Sequence, residues 1–427
     1  MSSPSPKKVL VITYYWPPAG GPGVQRWLKF ASYLPGFGYD PIILTVDPDK
    51  AEYPVRDDSL QKEVSPQRRI YRTTTSGCYG LYKRLAKART APYSGFVEEG
   101  RPSWKQKISR FIRGNFFLPD ARRGWNKHAR REATRLIREE GIDTIITTGP
   151  PMSTHLIGKR MQRALAVRWI ADFRDPWTDI YYYNKLYPTP LARAIDRRYE
   201  RSVLERADAV ITVSHHTRDQ FLAKSPAIDP AKCRVIHNGY DRRDFYRECP
   251  KTKGFTITYT GTLAADYTIS AFIEAVRELL PRSSPELHFV GRVDPLRARE
   301  LDTLADRVTF HPFVPHAEAI RWMRRSSVLL LIIPDTPGKH GNLPGKLFEY
   351  IGAGTPVLCL GPPDGEAARV LRASCAGQTF DYNDKEGIRD FLQDCLDAPP
   401  SPRQIPPPLA YSRQTLTRAL ADILCEK

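Results

Sequence analysis

The segment from Gly341 to Leu360 combines residue types that suit a phosphate-binding site. Pro344 and Gly345 form a loop that opens a short helix, and the first amide groups of a helix, at its positive dipole end, favour an anion. Lys346 adds a cation, and Glu349 follows about one turn later, so its carboxylate faces the same ligand. An acidic side chain near a phosphate suits the paired hydroxyl groups of a ribose. The spacing predicts a nucleotide site, although a surface helix with an ordinary capping turn has the same pattern.

Polar residues also stand near the ends of two predicted strands in the first half of the chain. These residues are His155, Asp172, Arg174 and Asp175. In open α/β sheets, ligands bind at the carboxyl ends of the strands. We therefore predict that these four residues carry the chemistry. An internal ion pair between neighbouring aspartate and arginine side chains, which would only stiffen the loop, is the alternative.

Three glycines follow the first predicted strand, Val9–Tyr15, and open a helix with Trp27 and Leu28 on its apolar face. A strand, a glycine turn and a helix form the first half of a βαβ unit. The spacing does not match the GxGxxG dinucleotide fingerprint. Because glycine lets the backbone approach a ligand closely, we predict ligand contact at Gly20 and Gly21. A tight turn without a ligand is the alternative.

Strands and helices alternate in two successive runs along the 427 residues. This pattern predicts an α/β protein with two Rossmann-like, doubly wound domains that face a cleft. We predict domains at 1–240 and 241–397, followed at 398–427 by a Pro-rich linker and a terminal helix. The predicted strands are Val9–Tyr15, Pro41–Val46, Thr144–Thr148, Arg168–Phe173, Ala209–Ser214, Thr256–Tyr259, Leu287–Val290, Val328–Ile333 and Val357–Leu360.

The composition is that of a globular protein, with 41% hydrophobic residues. The mean hydropathy of −0.45 and the lack of a long apolar run argue against a transmembrane segment. The seven cysteines have no CxxC spacing, so neither a disulfide framework nor a metal site is predicted. A reducing cytoplasm is the expected compartment.

The net charge of +18 is concentrated in one segment. Between Arg68 and Arg135 there are 18 Lys or Arg residues against four Asp or Glu residues. A patch of this kind favours polyanions, such as nucleic acid, anionic lipid head groups or diphosphates. No nucleic-acid-binding motif accompanies it, so nucleic acid is not the expected partner.

Within this segment, residues 103–120 combine aromatic and basic residues at helical spacing. Trp104, Ile108, Phe111 and Ile112 share one helical face, and lysine and arginine occupy the others. Residues 79–89 repeat the pattern more weakly. The pattern is typical of a helix at a membrane interface, and it predicts contact with an anionic membrane surface on the inner face of the membrane. An amphipathic helix packed on its own domain is the alternative.

Eight motifs, taken in order, resemble those of the GT-B glycosyltransferases, specifically glycosyltransferase family 4 and its relatives that build bacterial surface polysaccharides. They are YYWPPAGGPGVQRW, TTGPPMSTH, ADFRDPW, ADAVITVS, VIHNGYD, YTGTL, LHFVGR and KLFEYIGAGTPVL. The resemblance covers almost the whole chain. It implies a C-terminal domain that holds the nucleotide sugar, an N-terminal domain that holds the acceptor, and a retaining transfer without a metal.

By the same resemblance, Glu349 holds the ribose, and Gly345 and Lys346 lie under the diphosphate. The turn at Gly20 and Gly21 is expected across the cleft. Arg292, which follows a strand of the second domain, is expected to reach the phosphates, and Gly261 of the YTGTL motif belongs to the same site.

The chain departs from the family pattern at two places. A glutamate common in the family eight residues before the ribose-binding one is Gly341 here, and the loop GTLAADYT at 261–268 lacks the usual arginine and lysine. Lys346 and Arg292, with Lys339 or His340, are then expected to offset the diphosphate charge.

The resulting hypothesis is a glycosyltransferase, of the hexosyltransferase type, that moves a sugar from a UDP- or GDP-sugar to a hydroxyl group of a lipid-linked or polysaccharide acceptor. No cofactor is predicted beyond this donor. The alternatives are a nucleotide-sugar epimerase or hydrolase of the same fold, for which no clear carboxylate pair is present, a basic nucleic-acid-binding protein, and a catalytically inactive relative.

Overall fold

A computed structural model describes residues 5–76, 103–246, 249–281, 283–397 and 407–426 of the chain. The chain divides into two compact units. The first unit comprises residues 1–237 and 416–427, and the second comprises residues 238–415. The weaker amphipathic pattern at 79–89 and most of the Pro-rich stretch at 398–408 lie outside the described residues.

The sheet of the first unit is parallel and has seven strands within the described residues, in the order β3-β2-β1-β4-β5-β6-β7. In its centre, Val9 of β1 pairs with Pro41 on one side and with Thr144 on the other. The strands are β1 (Lys7–Ile12), β2 (Tyr39–Val46), β3 (Ile70–Thr73), β4 (Thr144–Gly149), β5 (Arg168–Phe173), β6 (Ala209–Thr212) and β7 (Cys233–Val235).

The helices of the first unit connect these strands. They are α1 (Pro22–Tyr33), α2 (Trp104–Phe116), α3 (Asn126–Glu140), α4 (His155–Leu165), α5 (Pro190–Arg206) and α6 (His215–Leu222). Short 3-10 turns lie at Leu34–Phe37, Asp58–Glu63, Arg123–Trp125, Met152–Thr154, Tyr183–Leu186 and Pro230–Lys232.

Both faces of this sheet are buried, because alternate residues of a strand point to opposite sides. Val9 of β1 belongs to a core that includes Trp27 of α1. Leu10, the next residue, belongs to a second core that includes Ala133 of α3 and Met161 of α4. Helices therefore cover both faces of the sheet, which is the doubly wound arrangement predicted from the sequence.

The second unit repeats this plan with a smaller sheet. Its described strands number six, all parallel, in the order β10-β9-β8-β11-β12-β13. They are β8 (Thr256–Thr260), β9 (Glu286–Val290), β10 (Val308–His311), β11 (Val328–Ile332), β12 (Val357–Leu360) and β13 (Gly377–Phe380). The helices are α7 (Ser270–Leu279), α8 (Pro295–Leu301), α9 (His316–Arg325), α10 (Gly345–Ala353), α11 (Glu366–Ser374) and α12 (Lys385–Asp397), with 3-10 turns at Arg242–Phe245, Asp302–Arg307, Lys339–Gly341 and Leu409–Tyr411.

Strand β11 shows why the second unit is also doubly wound. Leu330 and Phe272 of α7 lie in one core, whereas Leu331 and Phe348 of α10 lie in the other. Each of these side chains is essentially inaccessible to solvent. The α/β fold class with two Rossmann-like units is confirmed.

The last helix, α13 (Arg413–Cys425), does not belong to the part of the protein that the sequence predicts for it. The sequence assigned 398–427 to a separate terminal segment, but residues 416–427 belong to the first unit. Leu416 and Leu420 are buried in the same core as Val9 of β1, and Arg168 Nη1 donates to the carbonyl oxygen of Leu424 at 3.2 Å. Burial of this apolar face explains the assignment.

Helix α2 lies in the basic segment and begins with a capping box, in which Ser103 accepts from the Gln106 amide and Gln106 accepts from the Ser103 amide. Four of its apolar residues are exposed: Trp104 by 67%, Phe116 by 75%, and Ile108 and Phe111 as well. Ile112, predicted on the same face, is half-buried. No described helix is long and apolar enough to cross a bilayer.

Candidate functional site

The N-terminus of α10 provides the anion-binding geometry that the sequence predicts. Gly345 is the first residue of the helix, and Pro344 precedes it in an extended conformation. No side chain caps this end, so the first backbone amides of α10 are not satisfied by a capping side chain. Unsatisfied amides at the positive end of the helix dipole favour a phosphate.

Lys346 points from this helix toward the end of β8. Its Nζ donates to the Tyr259 hydroxyl at 2.8 Å and to the Thr260 carbonyl oxygen at 3.0 Å, and it lies 4.0 Å from the centre of the Tyr259 ring. Burial lowers the pKa of Lys346 to about 7, and the nearby Glu349 carboxylate opposes this shift only in part. The amine is therefore poised to gain charge when an anion arrives.

Glu349 lies one turn further along α10, and its Oε1 is 2.8 Å from Nε2 of His316. His316 is the first residue of α9. His316 was not predicted from the sequence, because its contact with Glu349 joins residues that are 33 positions apart in the chain. The imidazole holds the carboxylate at the same end of the unit as Lys346, where the ribose is predicted.

Two glycines allow the loops after β8 and β9 to pack closely beside Lys346. Gly261 has φ of 107° and Gly291 has φ of 131°, conformations that side chains other than glycine rarely adopt. A side chain at Gly291 would collide with the Gly261 carbonyl group, and one at Gly261 would crowd Lys346. These close approaches bring Gly261 into the site that the sequence predicts.

Arg292 follows Gly291, and its carbonyl oxygen accepts from the Leu263 amide at 2.8 Å. This bond fixes its backbone beside the loop after β8, and its side chain is exposed. The two other predicted cations have acidic partners: Lys339 Nζ lies 2.9 Å from Asp335, and His340 Nδ1 lies 3.1 Å from Asp364. Gly341 ends the 3-10 turn that carries these two cations.

In the first unit, the glycine turn before α1 forms one wall of a pocket of about 410 Å³. Gly20, Gly21 and Gly23 line it together with Arg174. A side chain at Gly23 would overlap the Arg174 guanidinium group, so a larger residue there would displace that group. Gly20 donates its amide to the Val55 carbonyl oxygen at 3.0 Å.

Asp172 is fully buried and does not line this pocket. Its carboxylate accepts from Arg26 Nη2 at 2.9 Å, from Trp27 Nε1 at 2.7 Å and from Thr148 Oγ1 at 2.9 Å. Burial alone would raise the pKa of Asp172, but the Arg26 guanidinium and these hydrogen bonds outweigh it and hold the pKa low. The internal ion pair that the sequence left as an alternative is present, with Arg26 as the partner rather than Arg174.

His155 is also fully buried and does not line the pocket. Its ring stacks on Phe173, with 4.1 Å between ring centres, and its Nδ1 is 2.9 Å from the Thr147 hydroxyl. Burial lowers the pKa of His155 to about 3, and Asp172 only partly opposes this shift. The imidazole is therefore neutral, and its Nε2 makes no hydrogen bond among the described residues.

Arg174 and Asp175 do line the pocket. The Arg174 guanidinium donates to the carbonyl oxygens of Gly149 and Pro150, which fixes it at the end of β4. Burial raises the pKa of Asp175, and the Arg174 charge opposes this shift. A carboxylate with a raised pKa accepts a proton more readily, as a general base or a strong hydrogen-bond acceptor requires.

Aromatic and charged residues that were not predicted as site residues also line the pocket. Helix α2 contributes Arg113 and Gly114, and a side chain at Gly114 would collide with the Leu186 carbonyl group. The other such residues include Tyr15, Phe117, Asp120, Arg122, Trp177, Tyr181, Tyr182, Tyr183 and Asp196. Aromatic faces together with carboxylates and guanidinium groups suit a ligand that carries both hydroxyl groups and negative charge.

The described residues hold no group of three or more His, Cys, Asp or Glu side chains arranged around a metal position.

Two family models together match most of the chain. Residues 23–244 match the model described as Glycosyltransferase Family 4. Residues 254–397 match the model described as Glycosyl transferases group 1. The first match covers most of the residues that line the pocket, and the second covers α10 and the loops beside it.

Solved structures show the same fold at low sequence identity. Sucrose-phosphate synthase from Thermosynechococcus elongatus has a TM-score of 0.60 at 16% identity, with 98% of each chain covered. The Anabaena protein HepE, crystallised in complex with UDP, has a TM-score of 0.58 at 12% identity, with 98% of this chain and 99% of that chain covered.

A shorter similarity links the chain to alpha-maltose-1-phosphate synthase from Mycolicibacterium smegmatis. The two are 47% identical over 47 residues. That stretch is 11% of this chain and spans 12% of the length of the relative.

Proposed function

The chain belongs to glycosyltransferase family 4, and we propose that it moves a hexose from a UDP- or GDP-sugar to a hydroxyl group of a lipid-linked or polysaccharide acceptor. We further propose that the transfer retains the configuration of the sugar and needs no metal ion. In this reaction the acceptor oxygen forms a bond to the anomeric carbon, the bond from that carbon to the diphosphate breaks, and the acceptor hydroxyl loses its proton.

The observation that carries the proposal is the start of α10 in the second unit. The uncapped amides at Gly345 and the Lys346 amine lie where the departing diphosphate would gain charge, and donors that are already oriented stabilise such charge effectively. The Glu349 carboxylate would accept from the ribose hydroxyl groups in place of, or together with, its contact with His316. The crystallised complex of HepE with UDP supports a nucleotide in a protein of this fold.

Arg292 and the close-packed loop at Gly261 would complete the phosphate site. The hydrogen bond from the Leu263 amide to the Arg292 carbonyl oxygen holds the Arg292 backbone next to that loop, and its side chain is exposed. We assign Lys346 and Arg292 to the diphosphate because Lys346 lies at the start of α10 and the Arg292 backbone lies beside the loop after β8.

In the first unit, the pocket beside the glycine turn is the acceptor site in this proposal. Asp175 would accept the proton or a hydrogen bond from the acceptor hydroxyl group, and Arg174 would hold the loop or contact a phosphate of the acceptor. Asp172 and His155 would have a structural part behind the pocket wall, since both are buried and neither lines the pocket.

We also propose that the protein acts as a peripheral membrane protein on the cytoplasmic face in polysaccharide biosynthesis. The exposed Trp104, Ile108, Phe111 and Phe116 side chains of α2, in a segment rich in lysine and arginine, support binding to an anionic lipid surface. The last turn of α2 also forms part of the pocket wall, through Arg113 and Gly114.

Isothermal titration with UDP and GDP tests the donor site. Glu349→Gln is expected to weaken binding of the preferred nucleotide by about 1–3 kcal/mol, because a buried polar contact is left imperfectly paired. Asp335→Asn, which alters an exposed carboxylate paired with Lys339, is the matched control and should bind as wild type. Wild-type affinity of the Glu349→Gln protein for both nucleotides would contradict the proposal.

The same titration also measures whether the Lys346 amine takes up a proton when the nucleotide binds. With a pKa of about 7 the amine is mostly neutral at pH 8, and a bound diphosphate would raise its pKa, so binding should take up a proton. Titrations at pH 8 in buffers of different ionisation enthalpy measure this uptake. Lys346→Met should abolish the uptake and weaken binding.

A further inference from the structure

Two carboxylates on α5, Asp196 and Glu200, lie beneath the loop that carries Asp175 into the pocket. They are four residues apart, so they share one face of the helix. Asp196 is 2% exposed and Glu200 is fully buried. Burying a carboxylate at such depth costs free energy unless the group is well paired. The partners of both carboxylates in the loop lie between residues 177 and 183.

Asp196 joins the two ends of this stretch. Trp177 Nε1 donates to one carboxylate oxygen at 2.9 Å, and the Tyr183 hydroxyl donates to the other at 3.1 Å. Both aromatic side chains line the pocket, as does Asp196 itself. A single carboxylate thus bridges two pocket walls that are six residues apart in the chain.

Glu200 holds the same loop at a third point. Its oxygens accept from the Thr178 amide at 3.3 Å and from the Thr178 hydroxyl at 2.6 Å. Lys224 Nζ, at 2.9 Å, supplies a positive charge. Glu200 is therefore paired with a cation, whereas Asp196 accepts from the uncharged Trp177 and Tyr183 side chains.

We propose that Asp196 is a positioning residue for the acceptor, and that its ionisation state sets the geometry of the pocket loop at residues 174–183. Ionised Asp196 accepts from Trp177 and Tyr183 at once, whereas protonated Asp196 is a weaker acceptor toward one of them. The loop would then hold Asp175 in place only when Asp196 is charged. This inference rests on the proposed function, in which the pocket takes the acceptor.

The groups around Asp196 support a titration near neutral pH. Burial raises the pKa of Asp196 to about 7, and the negative charges of Asp120 and Glu200 add to this shift. The hydrogen bonds from Trp177 and Tyr183 oppose it. Acceptor recognition should therefore improve as the pH rises from about 6 to about 8.

The test measures KM for the acceptor, kcat and nucleotide affinity of the full-length protein and of its Asp196→Asn variant across this pH range. The variant should raise KM about tenfold or more, as expected for the loss of a hydrogen bond to a charged group. The KM of the variant should stay constant across this range, whereas the KM of the wild type should fall as the pH rises. Nucleotide affinity should not change, because the donor site lies in the other unit. An unchanged KM together with an unchanged pH profile would overturn the proposal.

Glu205→Gln is the matched control, since Glu205 lies on the same helix and accepts from the Ser225 hydroxyl at 2.7 Å rather than from the pocket loop. Tyr183→Phe removes one of the two donors while keeping the ring. It should raise KM in the same direction even if Asp196→Asn fails to fold. A Tyr183→Phe protein with wild-type KM and pH profile would also overturn the proposal.

A spectroscopic measurement separates this inference from the proposed reaction. The contribution of Trp177 to the tryptophan fluorescence, obtained by difference from Trp177→Phe, should titrate near pH 7 in the wild type and not in Asp196→Asn. If this titration is present but no sugar is transferred, the proposed function fails and the loop inference stands. If sugar is transferred but the titration is absent, the inference fails.

Discussion

Asp172 and Asp175 are separated by two residues, but they lie in opposite environments. Asp172 is fully buried, and Arg26, Trp27 and Thr148 donate to it. Asp175 lines the pocket, and burial raises its pKa. The first aspartate has the contacts of a structural ion pair, and the second has the exposure that substrate contact requires.

We expect Asp175→Asn to fold and to bind nucleotide as wild type, but to lose most sugar transfer, because the amide is a poor proton acceptor. Single-turnover transfer beside a thermal melt with and without nucleotide measures both properties. Asp172→Asn is the contrasting variant: it breaks a buried ion pair and should cost about 3–5 kcal/mol of unfolding free energy. Normal transfer by Asp175→Asn would place the active site elsewhere.

At the scale of elements, helix α2 differs from the other helices of the first unit because its apolar residues face solvent. Asn115 fixes the other side of the helix: its Nδ2 donates to the Tyr187 carbonyl oxygen at 3.0 Å, and its Oδ1 accepts from the Thr189 amide at 2.7 Å. These bonds tie α2 to the segment before α5. An attached helix with an exposed apolar face and basic flanks has the features of an interfacial helix.

Flotation with anionic and neutral vesicles at low and high salt tests this helix. The wild type should float with anionic vesicles, and less so at high salt, since each basic residue near an anionic surface contributes about 1 kcal/mol and is screened within a Debye length. Trp104→Ser combined with Phe116→Ser should reduce recovery. Phe313→Ser, at an 89% exposed phenylalanine of the second unit, is the control.

Equal recovery with neutral and anionic vesicles would contradict the predicted contribution of the basic residues to membrane binding. The absence of flotation with either lipid would contradict membrane binding by α2 altogether.

At the scale of the whole molecule, the first unit is built from two stretches of the chain that are separated by the second unit. The chain leaves the first unit after residue 237 and returns to it at residue 416. Leu420 of α13 is fully buried in the core of the first unit. The Tyr39 hydroxyl also donates to the Ala421 carbonyl oxygen at 3.4 Å. The terminal helix therefore completes the first unit.

Leu420→Ala is expected to destabilise the first unit by about 2–5 kcal/mol, the range for a cavity at a buried leucine. Hydrogen exchange followed by mass spectrometry should show faster exchange in β1 and β5 and unchanged exchange in β8 and β11. Leu409→Ala, at an exposed leucine shortly before the helix, is the control. Equal loss of protection in both units would contradict the assignment of α13 to the first unit.

The fold class was predictable from the sequence, and so was the local pattern at the start of α10. Alternating strands and helices predict doubly wound units, because each apolar pattern must be buried on a neighbouring layer. The spacing of Gly345, Lys346 and Glu349 predicts a helix start with a cation and an acid, because these relations lie within one turn of one helix. Less regular elements were missed, among them the short strand β3, the strand β13, and the helices α11 and α12.

Only the tertiary structure decided which polar residues are buried and which are accessible. Asp172 and Asp175 have the same side chain, and their burial differs because Arg26 and Trp27 reach one of them from a distant part of the chain. The contacts of Glu349 with His316 and of Asp196 with Trp177 and Tyr183 likewise depend on packing between separate elements. Burial and charge then set the pKa of each group, and neither follows from spacing along the chain.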